Sequence, residues 1–105
     1  MKPGIEILDE IKRRVSKNEP GAKIILYGSY ARSDANKGSD IDLLILINRH
    51  PVTYDDIRSV SNPLYHLGFE TDQIISPLVK SKKDWEEKYF FTPLYYNIKA
   101  EGIEI

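Results

Sequence analysis

Apolar and polar residues follow two periods along this chain, and the places where the period changes mark the elements. Between Ile5 and Lys17 the residues Ile7, Leu8, Ile11 and Val15 recur three and four positions apart with charge between them, which predicts an amphipathic helix. The turn chemistry of Asn18 to Gly21 stops it. Ala22 to Tyr27 is then short, apolar and flanked by glycine on both sides, the pattern of a buried strand. After Gly28-Ser29 the segment Tyr30 to Ala35 predicts a short helix, and Asn36 to Ser39 a turn. Asp40 to Ile47 (DIDLLILI) is too densely apolar for an exposed edge and predicts a central strand that opens on carboxylates.

Beyond the loop Asn48 to Thr53, the residues Ile57, Val60, Leu64 and Leu67 return to helical spacing over Tyr54 to Leu67. Pro63 predicts a kink or an end at Asn62, because proline lacks the N–H that an inner helical turn needs. Gly68 resets the chain, and Phe69 to Ser76 predicts a third strand ended by Pro77. Lys82 to Phe91 and Leu94 to Ala100 predict helices separated by Thr92-Pro93. Strands interleaved with helices in this order give an α/β (α+β) domain, a small mixed sheet flanked by helices.

Composition narrows the class of activity. A chain of 105 residues holds one core of ordinary size, so residues 1–105 read as a single domain. Lys and Arg total 15 against 16 Asp and Glu, so no global charge draws the chain to a polyanion. The basic residues Lys80, Lys82 and Lys83 are offset by Asp84, Glu86 and Glu87, which gives RNA or DNA little support as an acceptor. The absence of cysteine removes disulfide scaffolds, thiol catalysis and cysteine zinc sites, and fits a cytoplasmic address. No apolar run exceeds Leu43 to Ile47, far short of a membrane span.

Chemistry concentrates between Gly28 and Asp42. A Gly-Ser turn at a strand end lets backbone N–H groups and a hydroxyl approach phosphate oxygens, with the positive end of a helix dipole behind them. Ten residues later Asp40 and Asp42 alternate on one strand, so both project from the same face roughly 6.5 to 7 Å apart at the backbone. Paired hard carboxylates suit Mg²⁺ or Mn²⁺. Phosphates on the turn and divalent cations on the carboxylates are the equipment of phosphoryl or nucleotidyl transfer. The plain alternative is a turn followed by a solvated strand end.

The segment Leu26 to Leu46 (LYGSYARSDANKGSDIDLLIL) resembles the signature of the nucleotidyltransferase superfamily, hG[GS] followed by [DE]h[DE], in its minimal form. The resemblance implies a palm-like mixed sheet and transfer of a nucleoside monophosphate, with ATP the favoured donor, to a hydroxyl acceptor. Carried over by position, Gly28 and Ser29 bind the triphosphate and Asp40 and Asp42 hold two Mg²⁺ ions, with Mn²⁺ as a substitute. Arg32, one turn beyond Ser29, is a further triphosphate contact. The superfamily also uses a third catalytic, metal-binding carboxylate on a following strand. Here Asp72 is the candidate, preferred over Glu70 because Ile74 and Ile75 place it nearer the strand centre.

Minimal members of the family this segment resembles are often paired with helical proteins of the HEPN type in toxin–antitoxin systems. The resemblance therefore carries a second reading, an antitoxin-like binding module that masks such a partner with little or no catalysis. Six aromatic residues, Trp85, Tyr89, Phe90, Phe91, Tyr95 and Tyr96, fall within twelve positions. A domain this small cannot bury them all, which leaves rings for an association surface toward a partner or a second copy. His50 and His66 have no ligand partner at metal spacing and read as surface or packing residues.

Overall fold

The computed structural model describes residues 5–33 and 39–105. The chain runs α1 (Ile5–Asn18), β1 (Lys23–Tyr27), α2 (Ser29–Arg32), β2 (Ile41–Ile47), α3 (Tyr54–Thr71), β3 (Ile75–Ser81), α4 (Lys82–Lys88), α5 (Pro93–Glu101) and β4 (Ile103–Glu104). Its four strands form one mixed sheet in the order β3-β2-β1-β4, parallel between β2 and β3 and antiparallel elsewhere. This is the flanked mixed sheet that the sequence pattern predicts. The turn expected over Asn36 to Ser39 lies mostly outside the described residues.

β2 carries the core on both faces because its side chains alternate. Ile41, Leu43, Ile45 and Ile47 face α1 and α3, where Ile11, Val15, Val60, Leu64 and Leu67 complete one cluster. Leu44 and Leu46 face the other way and meet Trp85 of α4 and Ile98 of α5. Each of these strand side chains is 4% exposed or less, and burying one contributes about 2 kcal/mol. Parity also decides the site. Asp42 shares its face with Leu44 and Leu46, so its carboxylate lies on the side of the sheet covered by α4 and α5.

Pro63 does not end α3, which continues to Thr71. Its missing N–H would leave the Ser59 carbonyl without its helical donor, and Asn18 Nδ2 at the end of α1 donates to that carbonyl at 3.1 Å. Arg14 reinforces the same crossing by donating to the Pro63 carbonyl at 2.9 Å. The helix begins on a capping box, Thr53 with Asp56, and the bond from the Thr53 N–H holds the Asp56 carboxyl below the usual carboxylate range.

The third strand is therefore displaced from its expected place. Phe69, Glu70 and Thr71 form the last turn of α3, Asp72 caps it in the left-handed conformation at φ 55°, and β3 starts only at Ile75. Tertiary packing through Gly68 outweighs the strand propensity of this segment. A Cβ on Gly68 would sit 2.7 Å from the Gln73 carbonyl oxygen, so the chain returns across the helix end at a distance only glycine permits. Pro77 lies inside β3, on an edge strand of the sheet, where a missing N–H is tolerated.

The two C-terminal helices are shorter or shifted relative to the pattern. α4 stops at Lys88, and α5 is capped by Thr92, whose hydroxyl accepts from the Tyr95 N–H at 3.2 Å, with Pro93 at its first turn. Trp85 is buried, Tyr89 and Tyr95 are half-buried, and Phe90, Phe91 and Tyr96 remain exposed. No helix among the described residues is long and apolar enough to cross a membrane. Gly68→Ala is expected to destabilise the fold by about 1–3 kcal/mol, seen as a Tm lowered by several degrees in thermal melts, because backbone must shift to admit the methyl.

Candidate functional site

β1 and β2 bring the two halves of the sequence signature together. Tyr27 pairs with Asp42 across the antiparallel register, so Gly28, the next residue, lies beside the Asp42 carboxylate. Gly28 has φ 75°, and a Cβ there would meet Asp42 Oδ2 at 2.5 Å. The positive φ requires glycine at position 28, while the Asp42 carboxylate beside it is a side-chain end that a methyl group could turn aside. Ser29 opens the four-residue α2, and Arg32 N–H donates back to the Gly28 carbonyl at 3.1 Å.

Asp40 lies just before β2 and is exposed; Asp42 is half-buried in the strand. Burial raises the Asp42 carboxyl above the usual carboxylate range, the neighbouring Asp40 charge adds to the rise, and Arg32 opposes it. The same two causes act on Tyr27, whose hydroxyl is raised by burial and by the Asp42 charge. Negative potential is therefore concentrated where the two aspartates meet.

Two residues from outside the signature, Glu101 and Ser76, complete the surroundings, together with Tyr27 from within it. Glu101, at the end of α5, accepts from the Gly28 N–H at 3.2 Å and from Arg32 at 2.9 and 3.1 Å. The fold thus already seats an oxyanion on Gly28 and Arg32. Ser76 of β3 donates to Asp40 Oδ2 at 3.1 Å. Tyr27 flanks Asp42. Glu101 lies about seventy residues from the turn it contacts, beyond the reach of any local pattern, whereas the position of Ser76 depends on the β2–β3 register.

Asp72 is not brought onto the strand beside Asp40 and Asp42. It is the exposed cap of α3, and it lines a groove of about 490 Å³ with Tyr65, Phe69, Ile74 and Ser76. Glu70 is farther removed in role, since it lies on α3 and pairs with Arg14 at 3.1 Å. Both expectations rested on a strand over Phe69 to Ser76, and the extension of α3 removes that basis. Lys37 and Asp34 lie outside the described residues. His50 sits in a loop, 3.2 Å from Asp84, and takes no part in the site.

The raised Asp42 carboxyl has a consequence for stability. A carboxyl whose pKa is higher in the folded than in the unfolded chain costs stability as pH rises from the unfolded value, about 3.9, through the folded one. Asp42→Asn is therefore expected to raise the Tm of the ligand-free protein at pH 7, with the gain shrinking to nothing near pH 3. Melting curves of both proteins across this range measure it.

Comparison with known proteins agrees with this geometry. The family model described as "Nucleotidyltransferase domain" matches residues 8–97. A protein of Methanocaldococcus jannaschii named "Putative protein adenylyltransferase MJ0141" is 34% identical over 80 residues, which cover 74% of this chain and 80% of that one. A chain in the crystal structure of a mutant of the toxin–antitoxin MntA–HpeT superposes on 99% of this chain with a TM-score of 0.62, at 18% identity and over 72% of its own length, and shares the fold. The left-handed glycine turn, the acidic pair opposite it and a family match spanning nearly the whole chain lead to one assignment: the chain belongs to the nucleotidyltransferase domain family.

Proposed function

We propose that the protein transfers a nucleoside monophosphate, AMP from ATP, to a hydroxyl acceptor in a Mg²⁺-dependent reaction. The observation that carries this reading is the contact of the Gly28 turn with the Asp42 carboxylate across β1 and β2, which sets a phosphate-binding backbone beside two cation-binding side chains. The name of the archaeal relative, a protein adenylyltransferase, supports adenylyl transfer and a protein as acceptor.

The donor set fits a hard divalent cation. Asp40 and Asp42 offer oxygen ligands alone, and their mutual repulsion, part of what raises Asp42, is the kind of charge that a cation relieves. Asp40 and Asp42 would hold Mg²⁺, or Mn²⁺ in its place, and the cation would supply charge neutralisation at the phosphates. The Gly28 N–H and Arg32 would bind terminal phosphate oxygens, where Glu101 now supplies a carboxylate in their stead. Ser29 adds a hydroxyl at the same turn. An acceptor hydroxyl attacks the α phosphorus and gives up its proton to solvent, the P–O bond to the β phosphate breaks, and pyrophosphate leaves with the nucleotide now esterified to the acceptor. The chain's own task is to hold donor and acceptor in line.

A second reading, masking of a helical partner of the HEPN type, is favoured by Phe90, Phe91 and Tyr96. These rings are 49%, 66% and 62% exposed around the α4–α5 turn, beyond the cover of the sheet. The toxin–antitoxin origin of the structural neighbour supports the same reading. A cytoplasmic setting is consistent with both.

Incubation of the protein, isolated with whatever co-purifies, with α-labelled ATP and Mg²⁺ tests the first reading. The expected result is a labelled acceptor, lost by about 100-fold or more in Asp40→Asn and Asp42→Asn variants that retain wild-type circular dichroism. Unchanged labelling in a folded Asp42→Asn protein would sink it. A co-purifying protein that stays bound and unlabelled would favour masking. Because Glu101 competes for the phosphate contacts, Glu101→Gln is expected to bind ATP several-fold more tightly in a fluorescence titration, and no gain would show that the carboxylate and the phosphates use different places.

A further inference from the structure

The register of β3 fixes what stands at the third corner of the acidic site. Parallel pairing sets Ile41 beside Ile75 and Asp42 beside Ser76, so Ser76 shares the face that carries Asp42. The Ser76 hydroxyl donates to Asp40 Oδ2 at 3.1 Å, and this contact places Asp40 on that face as well. Along β3 the residues of this parity are Ser76, Leu78 and Lys80, none of them acidic. Asp72 stands outside the strand as the helix cap, three residues before its first position. Among the described residues, no three His, Cys, Asp or Glu side chains gather in a group that could hold a metal ion.

We infer that Ser76 fills the third position of this site as a positioning residue for Asp40, so that the protein builds a two-carboxylate cation centre in which Asp72 has no part. This inference rests on the nucleotidyl-transfer reading above. The hydroxyl donates one hydrogen bond, which fixes the Asp40 carboxylate and leaves its Oδ1 for a cation. Unlike a third carboxylate, it adds no charge. Two negative charges attract a bare divalent cation less than three do, so the site binds the bare cation weakly and the phosphates of the nucleotide strengthen that binding. The ligand-free site in turn escapes the repulsion of a third carboxylate.

Titration of the full chain with Mn²⁺, followed by the electron paramagnetic resonance of the free ion, tests this. Ser76→Asp is expected to tighten Mn²⁺ binding about tenfold or more by restoring a third charge. Ser76→Ala is expected to weaken it about tenfold and Ser76→Thr to restore it, a pattern that follows the hydroxyl and not the packing. Asp72→Asn is expected to leave it unchanged. The inference is overturned if Asp72→Asn weakens Mn²⁺ as much as Asp42→Asn does, or if Ser76→Ala and Ser76→Asp both bind as the wild type does. Asp42→Asn separates the two levels of the account: Mn²⁺ binding indifferent to that change would overturn the nucleotidyl-transfer reading itself, and the role of Ser76 with it.

Discussion

Tyr27 and Asp42 face each other across the β1–β2 pair, and that pairing brings Gly28, with its positive φ, close beside the Asp42 carboxylate. The other features of the site depend on this approach. Because β2 alternates, the residue beside Gly28 is an aspartate while its neighbours in the strand fill both halves of the core. Because Gly28 takes a left-handed backbone, β1 ends there and α2 starts at Ser29, which turns Arg32 toward the same place. One register therefore sets the turn, the acidic pair and the guanidinium together, and a slip of one residue would send Asp42 into the apolar layer under α1 and α3.

The same arrangement has a cost in stability. Burial and the Asp40 charge raise the Asp42 carboxyl, so the ionised pair works against folding. The fold offsets part of the charge from within: Arg32 opposes the rise at Asp42 and in turn engages Glu101. The end of α5 reaches this position because β4 pairs with β1 and because Gly102 packs against Ile25, where a Cβ would come within 2.6 Å of its methyl group. The C-terminal strand, only two residues long, thus secures the Glu101 carboxylate that contacts the Gly28 turn.

Local pattern revealed α1, β1 and β2, because each is bounded by turn residues and has an unambiguous period. The acidic pair and the glycine turn were legible for the same reason, since their contact follows from adjacent strands. Asp72 was misplaced because the chain from Phe69 to Ser76 satisfies strand propensity locally. Its actual conformation is set by Asn18, which donates to the Ser59 carbonyl the hydrogen bond that Pro63 cannot donate, and by the close return at Gly68. Ser76 and Glu101 were beyond local reading, one dependent on a parallel register and the other on a contact spanning the chain. β4 is too short to show a period at all.

We propose that the turn at Gly28 receives the nucleotide's phosphates beside Asp42, in the place that the Glu101 carboxylate occupies in this structure. The most direct measurement is the amide spectrum of ¹⁵N-labelled protein titrated with Mg²⁺ and a non-hydrolysable ATP analogue. The account predicts that the Gly28 and Ser29 amides shift first and furthest, that the Arg32 side-chain resonance moves with them, and that Asp42→Asn removes all three responses. A Gly28 amide that stays in place while the nucleotide saturates the protein would contradict it.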